Sequence, residues 1–444
     1  MNNYQSLNRC YRRHKNSEIE WLGEVPEHWN LSRIKSLTET KSGTTPKSDL
    51  DEYYENGTYF WVRTTDLNNA RLYSSEFKVT DLAIKHHNLP FIKPKSILLA
   101  MYGGMGTIGK NSILEVEITI NQSVCAILPN QKKINSEYLW YYIKFFRPHW
   151  AMFADSARKD PNINQEVIKR LWIALPPISE QEAIANYLDI KTVQIDRKIN
   201  LLNQKANLYS ELKQSLINET VTCGLDRSVP MKDSSIKWIG EVPNHWKVSR
   251  IKEIADINKR TLTEKTSNDY EFHYVDIGNI TYGIKNFDSE RTIFQNAPSR
   301  ARRILKKGDI IISTVRTYLK AIASIDCEVS DVIASTGFAV ITPKESFFAK
   351  YFSYFLTSSF IVDAICALST GVSYPATNSS AISNLLCLVP PISEQKAIAD
   401  YLDTKTVQID RIVQTINSQI EKLKELRKTL INDVVTGKIK VIED

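Results

Sequence analysis

Residues 176–197 read PPISEQEAIANYLDIKTVQIDR, and residues 390–411 read PPISEQKAIADYLDTKTVQIDR. Only three of the 22 positions differ: Glu182/Lys396, Asn186/Asp400 and Ile190/Thr404. A stretch used twice makes the chain an internal repeat, and that decides the architecture before composition is weighed. A second pair lies upstream, EWLGEVPEHWNLSRIK at 20–35 and KWIGEVPNHWKVSRIK at 237–252. A third closes each unit, SLINETVT at 215–222 and TLINDVVT at 429–436. The offset is 217 residues upstream and 214 downstream, so the two halves are built alike. The stretches between, 29–175 and 246–389, have diverged almost completely. A frame held constant while its inserts differ keeps a geometry and changes a specificity.

The frame reads as helix. Ser179 and Ser393 each follow Pro-Pro-Ile and precede Glu-Gln, which suits an N-cap, and Glu182 would complete a capping box that Lys396 breaks in the second copy. No Gly or Pro then appears until Gly224 and Gly437. Apolar residues recur at three- and four-residue spacing: Ile184, Leu188, Ile195, Ile199, Leu202, Tyr209, Leu212 and Leu216 in the first copy. The second has Ile398, Leu402, Ile409, Val413, Ile416, Ile420, Leu423 and Leu430. A continuous helix from 179 to 222 would run about 66 Å at about 1.5 Å per residue. Two of them in a repeated chain are expected to pair antiparallel as a stiff strut. By pseudo-two-fold equivalence, the end of the second helix near Gly437 is expected beside the first insert.

The inserts read as mixed, β-rich modules. Ser96–Met101, Val124–Leu128, Ile310–Thr314 and Gly337–Ile341 are β-branched runs bounded by turn residues. The aromatic runs at Tyr138–Phe146 and Tyr351–Phe355 are expected to be helices packed on the sheets. The fold class is therefore α+β: two mixed α/β modules held apart by two long antiparallel coiled-coil helices, with a pseudo-two-fold internal repeat. The expected division is 1–175 for the N-terminal segment and first module, 176–226 for the first helical arm, 227–388 for the second module and 389–444 for the second arm and tail.

With 42% hydrophobic and 24% charged residues over 444 positions, the chain is globular and long enough for two domains. No run approaches the roughly 18 apolar residues that span a bilayer, and no apolar run follows Arg12, Arg13 and Lys15, so neither a membrane protein nor a secretory signal is expected. Six cysteines without a C-x-x-C pair fit reduced cytoplasmic thiols rather than disulfides or zinc. The net charge of +7 permits nucleic acid as a partner but does not require it.

Several motifs look catalytic and fail on context. Gly104–Asn111 matches G-x-G-x-x-G and lacks a P-loop's Ser/Thr only at Asn111, but a strand-like alternation follows where both chemistries need a helix. The Pro-Pro pairs are followed by Ile and are not preceded by the Asn or Asp of a methyltransferase motif. His28 and His245 sit in the duplicated Glu-Val-Pro-x-His-Trp segment, where docking the module onto its arm is the expected role. No metal-ligand spacing appears. The residues point to no reaction, so any chemistry is expected to belong to partners.

The two W-(L/I)-G-E-V-P-x-H-W segments, the two P-P-I-S-E-Q-x-A-I-A-x-Y-L-D helix starts and the paired variable inserts resemble, over essentially the full length, the specificity subunits of type I restriction-modification systems. The resemblance implies two target-recognition domains, each reading one half of a split DNA site. It implies no cofactor on this chain, two flanking modification subunits that use S-adenosylmethionine to methylate adenine, and a restriction subunit that uses ATP and magnesium. Two modules on one face of B-DNA are expected about one turn apart, roughly 34–36 Å.

Basic residues in polar, turn-like parts of the inserts are the DNA-contact candidates. They are Lys41, Lys47, Arg63, Lys110, Arg158 and Lys159 in the first, and Lys259, Arg260, Arg302, Arg303, Lys306, Lys307, Arg316 and Lys320 in the second. Arg302-Arg303 with Lys306-Lys307 is the densest cluster. The arm residues Ile184, Leu188, Ile199, Leu202, Leu216, Ile398, Leu402, Ile416, Leu423 and Leu430 are the partner and coiled-coil candidates. The competing readings are a coiled-coil scaffold without DNA recognition, which leaves the diverged inserts unexplained, and part of a fused DNA methyltransferase, which lacks the motifs.

Overall fold

The computed structural model describes residues 10–103, 106–154, 162–280, 289–371 and 375–442. By internal contacts the chain forms two compact units, Met1–Leu202 with Ser418–Asp444, and Asn203–Asn417. Each unit combines one variable insert with half of each long helix. The first arm is a single helix, Ile178–Cys223, and the second is Ile392–Val435.

The helix starts two residues earlier than the capping pattern predicts, at Ile178 rather than Glu180. The Pro177 carbonyl accepts from the amides of Glu180 and Gln181, so Ser179 lies exposed in the first turn, and Glu182 is exposed too. The Pro-Pro pair itself makes the sharp entry, because proline has no amide to satisfy and its ring presets the turn. The functional acid of this turn is Glu180, not Glu182.

In the first unit the arms run antiparallel. Asp196 pairs with Arg427 at 3.0 Å, while Ile184 and Leu188 share a core with Ile431, Val434 and Val435. In the second unit Lys213 pairs with Asp410 at 2.7 Å, and Ile217 and Val221 share a core with Ile398 and Leu402. These two ion pairs are repeat equivalents: residues 196 and 410, and residues 213 and 427, each stand 214 apart. Of the arm candidates, Ile184, Leu188, Ile199, Ile398, Leu402 and Ile416 are buried, and Leu202, Leu216, Leu423 and Leu430 are half-buried. Leu212 departs from the expected seam and is exposed; Ala206 and Ile217 take the buried positions on either side of it.

The inserts share one topology despite their divergence. In the first, Thr38–Ser42, Val124–Pro129, Ile97–Ala100 and Asn111–Leu114 form an antiparallel sheet, extended by Arg71–Leu72. In the second, Ala255–Ile257, Phe338–Pro343, Ile310–Ser313 and Ile322–Ser324 repeat that order. A second sheet in each contains a parallel pair, Tyr59–Val62 with Thr119–Ile120 and Glu271–Val275 with Val332–Ser335. Different sequences therefore satisfy one pattern of hydrogen bonds, as alternating or fully apolar strands allow.

The frame residues hold each module to its arm. Trp29 and Trp246 are fully buried, and their indole N–H groups donate to Glu180 at 3.2 Å and Glu394 at 2.9 Å. His28 and His245 meet the same carboxylates at 3.0 and 2.6 Å, so the duplicated His-Trp is a docking clasp. Gln181 and Gln395 accept the amides of Asn135 and Phe348, each at 2.8 Å, at the entry to the aromatic helices Ser136–Phe146 and Ala349–Leu356. Tyr141 and Tyr354 in those helices donate to Asp189 and Asp403 at 2.6 and 2.7 Å. The hydroxyls of Tyr138 and Tyr351, fully buried, each lie between two carbonyls that share their one proton, one on the adjoining strand and one on the arm that returns (Ala174 and Val435, Leu388 and Val221). The second arm thus ends against the first module, as two-fold equivalence requires. Gly437, at φ +77°, lets the backbone pass the Pro26 ring where a Cβ would collide.

Candidate nucleic-acid interface

Each central sheet projects a hairpin tip. In the first module it lies between Ile97–Ala100 and Asn111–Leu114, and in the second between Ile310–Ser313 and Ile322–Ser324. The first tip exposes Tyr102 (41%) and half-exposes Lys110. Its glycine motif includes Gly104 and Met105, outside the described residues; Gly109 makes the turn at φ +74° against Trp150, and a strand follows. Asn111 is fully buried, accepting from the Trp140 indole at 3.0 Å, so it supports the sheet and faces no phosphate.

The second tip exposes Arg316, Tyr318, Leu319 and Lys320 in succession. Arg316 and Lys320 both adopt left-handed backbone, φ +50° and +54°, an uncommon cost for side chains with a Cβ. An aromatic ring and cations presented together at a rigid turn suit stacking and phosphate contact. The sequence candidates at these tips are Lys110, Arg316 and Lys320; Tyr102 and Tyr318 are not among them, because exposed and buried rings look alike in a string. The signal available was their place, between two apolar strands.

The other cations divide by what already holds them. Lys41, Lys47 and Lys306 are exposed. Arg63 lies 3.3 Å over the Phe77 ring. Arg260 pairs at 2.5 Å with Asp309, whose side chain is 1% exposed, and Lys259 pairs with Asp256 at 2.6 Å. The run at 302–307 is no open cluster: Arg302 stacks on Phe294 at 4.8 Å and reaches Glu264, Arg303 donates to Thr261 at 3.0 Å, and Lys307 pairs with Glu328 at 3.1 Å. Burial holds the Arg303 guanidinium below its ordinary range. Adjacency in sequence did not become a shared surface, because a β-bulge between Ala301 and Arg303 disturbs the strand's alternation. Arg158 and Lys159 lie outside the described residues.

Among the described residues no group of three or more His, Cys, Asp or Glu side chains is placed to hold a metal, and no helix is long and apolar enough to cross a membrane. The profile of the type I restriction modification DNA specificity domain matches residues 26–208 and again 243–422, one match per repeat. The chain belongs to this specificity-domain family. Within it, the chain is 24% identical over 443 residues to the type I restriction enzyme MjaVIII specificity subunit of Methanocaldococcus jannaschii, covering 97% of each. It is 20% identical to the EcoKI specificity subunit of Escherichia coli, over 94% of this chain and 90% of that one. A chain from a structure of type I complex assembly and conformational transition matches with TM-score 0.69 at 14% identity, over 93% of this chain and 98% of that one. The HsdS subunit of Thermoanaerobacter tengcongensis matches with TM-score 0.50 at 15% identity over the same shares. As a specificity subunit, the protein recognises DNA and is not the catalytic member of its system.

Proposed function

We propose that the protein reads a bipartite DNA sequence, one half per module, and holds two copies of a methyltransferase subunit at the paired half-sites. Residues 1–175 and 227–388 are the target-recognition domains, and 176–226 and 389–444 are the arms that set their separation. The observation carrying this reading is one sheet topology built twice from unrelated sequence on an almost identical frame. The hairpin tips supply base and backbone contacts through Tyr102, Lys110, Arg316, Tyr318 and Lys320, with Lys41, Lys47 and Lys306 at phosphates.

The partner's place is read from the repeated residues that packing does not explain. Buried identities such as Gln181/Gln395 and Leu188/Leu402 are accounted for by packing. Ile178/Ile392, Val193/Val407, Gln194/Gln408 and Arg197/Arg411 are identical and exposed. An exposed surface of mixed apolar and polar residues kept twice suits two copies of one partner. S-adenosylmethionine belongs to those partners, ATP and magnesium to a restriction subunit that joins them, and the complex works on DNA in the cytoplasm.

The test is selection from a randomised duplex pool by the complex of this chain with its modification subunits. Two fixed half-sites with a constant gap are expected, and exchanging residues 246–389 for another insert changes one half only. Absence of enrichment, or a change in both halves, contradicts the reading.

A further inference from the structure

The first unit contains a recess of about 540 Å³ lined by Lys144, Arg147, Lys424, Arg427, Lys428 and Ile431. Among the described residues no carboxylate lines it. Compensation is partial: Arg427 pairs with Asp196 at 3.0 Å, and Lys424 with Glu421, on the same helix, at 2.8 Å. Arg147 donates to the Gly106 carbonyl at 3.3 Å. The Arg427 Nε is buried with no acceptor. Burial, then the charge of Arg427, pull the Lys144 ammonium down to about 7, against the opposing charges of Asp189 and Asp196. The Lys144 Nζ lies 3.3 Å over Trp140. Positive charge gathered against its own electrostatic cost marks a place for an anion.

The second unit has the same recess with different chemistry. It holds about 610 Å³, with Ser210, Lys213 and Gln214 where the first unit has Lys424, Arg427 and Lys428, and Thr357 where it has Lys144. Asp326, Asp403 and Asp410 are in its lining, with Lys350 paired to Asp403 at 2.8 Å and Lys213 to Asp410. Two identical subunits docking on the two halves would meet five cations in one recess and a nearly balanced set of charges in the other, so they are not what this recess serves. The asymmetric component is the DNA, whose two half-sites differ. The position agrees, since Ile108, from the first hairpin tip, is also in the recess wall.

We propose that this recess is a phosphate-ester site, filled by the DNA backbone beside the half-site that the first module reads. The proposal rests on the DNA-recognition reading above, and it gives the first module a backbone anchor that the second lacks.

The test uses the full complex with its modification subunits and the variant Lys424→Gln/Lys428→Gln, two exposed positions whose change leaves the core intact. Affinity for the preferred duplex is measured against salt. The slope of log affinity on log salt is expected to fall by about two, from roughly 0.9 per lost phosphate contact, with the preferred sequence unchanged. The control Lys213→Gln in the second unit leaves the slope as it was. An unchanged slope in the double variant, with sequence preference retained, overturns the DNA assignment. Calorimetric titration with inorganic phosphate then separates the sources: binding to wild type and not to the variant assigns the recess to a free anion, and no binding overturns the site. Loss of preference in the wild-type complex itself is failure of the parent reading; phosphate binding to wild type alone would still support the recess, and its absence would end it.

Discussion

Glu180→Ala is expected to damage the first unit far more than Glu394→Ala damages the second, although the two glutamates occupy the same position in the repeat. The Glu180 side chain is 2% exposed and receives three partners: the Tyr11 hydroxyl, the Trp29 indole at 3.2 Å and His28 at 3.0 Å. Tyr11 and Trp29 are themselves buried, and burial with the nearby carboxylate raises the Tyr11 phenol far above its usual range. Removing the acceptor strands two buried donors, each costing about 1–3 kcal/mol, for a total of about 3–5 kcal/mol. The Glu394 side chain is 38% exposed and its partner His245 43%, and Ser228 stands where repeat spacing would put a second Tyr11. One buried donor, the Trp246 indole, loses its acceptor there, and water can reach the exposed Glu394 position, so the loss is about 1 kcal/mol. For units of this size the melting temperature falls by roughly 10 °C in the first case and about 3 °C in the second. Scanning calorimetry of the full chain measures both, and hydrogen exchange at residues 26–34 and 243–251 assigns each loss to its unit. Equal losses, or a greater one at Glu394, would refute the argument that burial, not the shared hydrogen bond, sets the cost.

Gly437→Ala forces a Cβ into Pro26 at φ +77°, whereas at Gly224 the nearest obstacle is Trp246 at 3.2 Å, so the first substitution is expected to cost more, by about 1–2 kcal/mol, in urea unfolding. Lys144 has a folded value near 7, below the unfolded lysine value, so the unfolded chain binds the extra proton and stability rises with pH from about 7 upward. Lys144→Met is expected to remove that rise, up to about 1.4 kcal/mol per pH unit, between pH 7 and 9; identical slopes in variant and wild type would contradict it. Matched seven-residue helical insertions after Leu202 and after Ile420, opposite each other by the Asp196–Arg427 register, are expected to widen the gap between half-sites in a methylation assay. Methylation at the original spacing would show that the arms do not set it.

The repeat made the architecture legible: two long helices and two modules follow from segments such as PPISEQ and EVPxHW, whose spacing is visible without coordinates. The docking role of His28 and His245 was legible for the same reason, since a catalytic histidine has no cause to occur twice in one frame. What escaped was local or depended on neighbours distant in sequence. Ser179 looked like a cap because residue preference cannot tell Ncap from the second helical residue; the Pro177 carbonyl decides. Arg260 looked like a surface cation, yet Asp309, 49 residues later, takes it inward. Nothing local in the sequence singled out Tyr102 and Tyr318, which the hairpin geometry brings to the surface. The charged recess joins residues 144 and 427, which no local pattern connects.

The most direct test of the central claim is a genome-wide map of N6-methyladenine in cells that carry the modification subunit, with and without this chain. The account predicts that one bipartite motif, methylated in both halves, disappears with the chain and returns when it is restored. A map that is the same in both cells would contradict it.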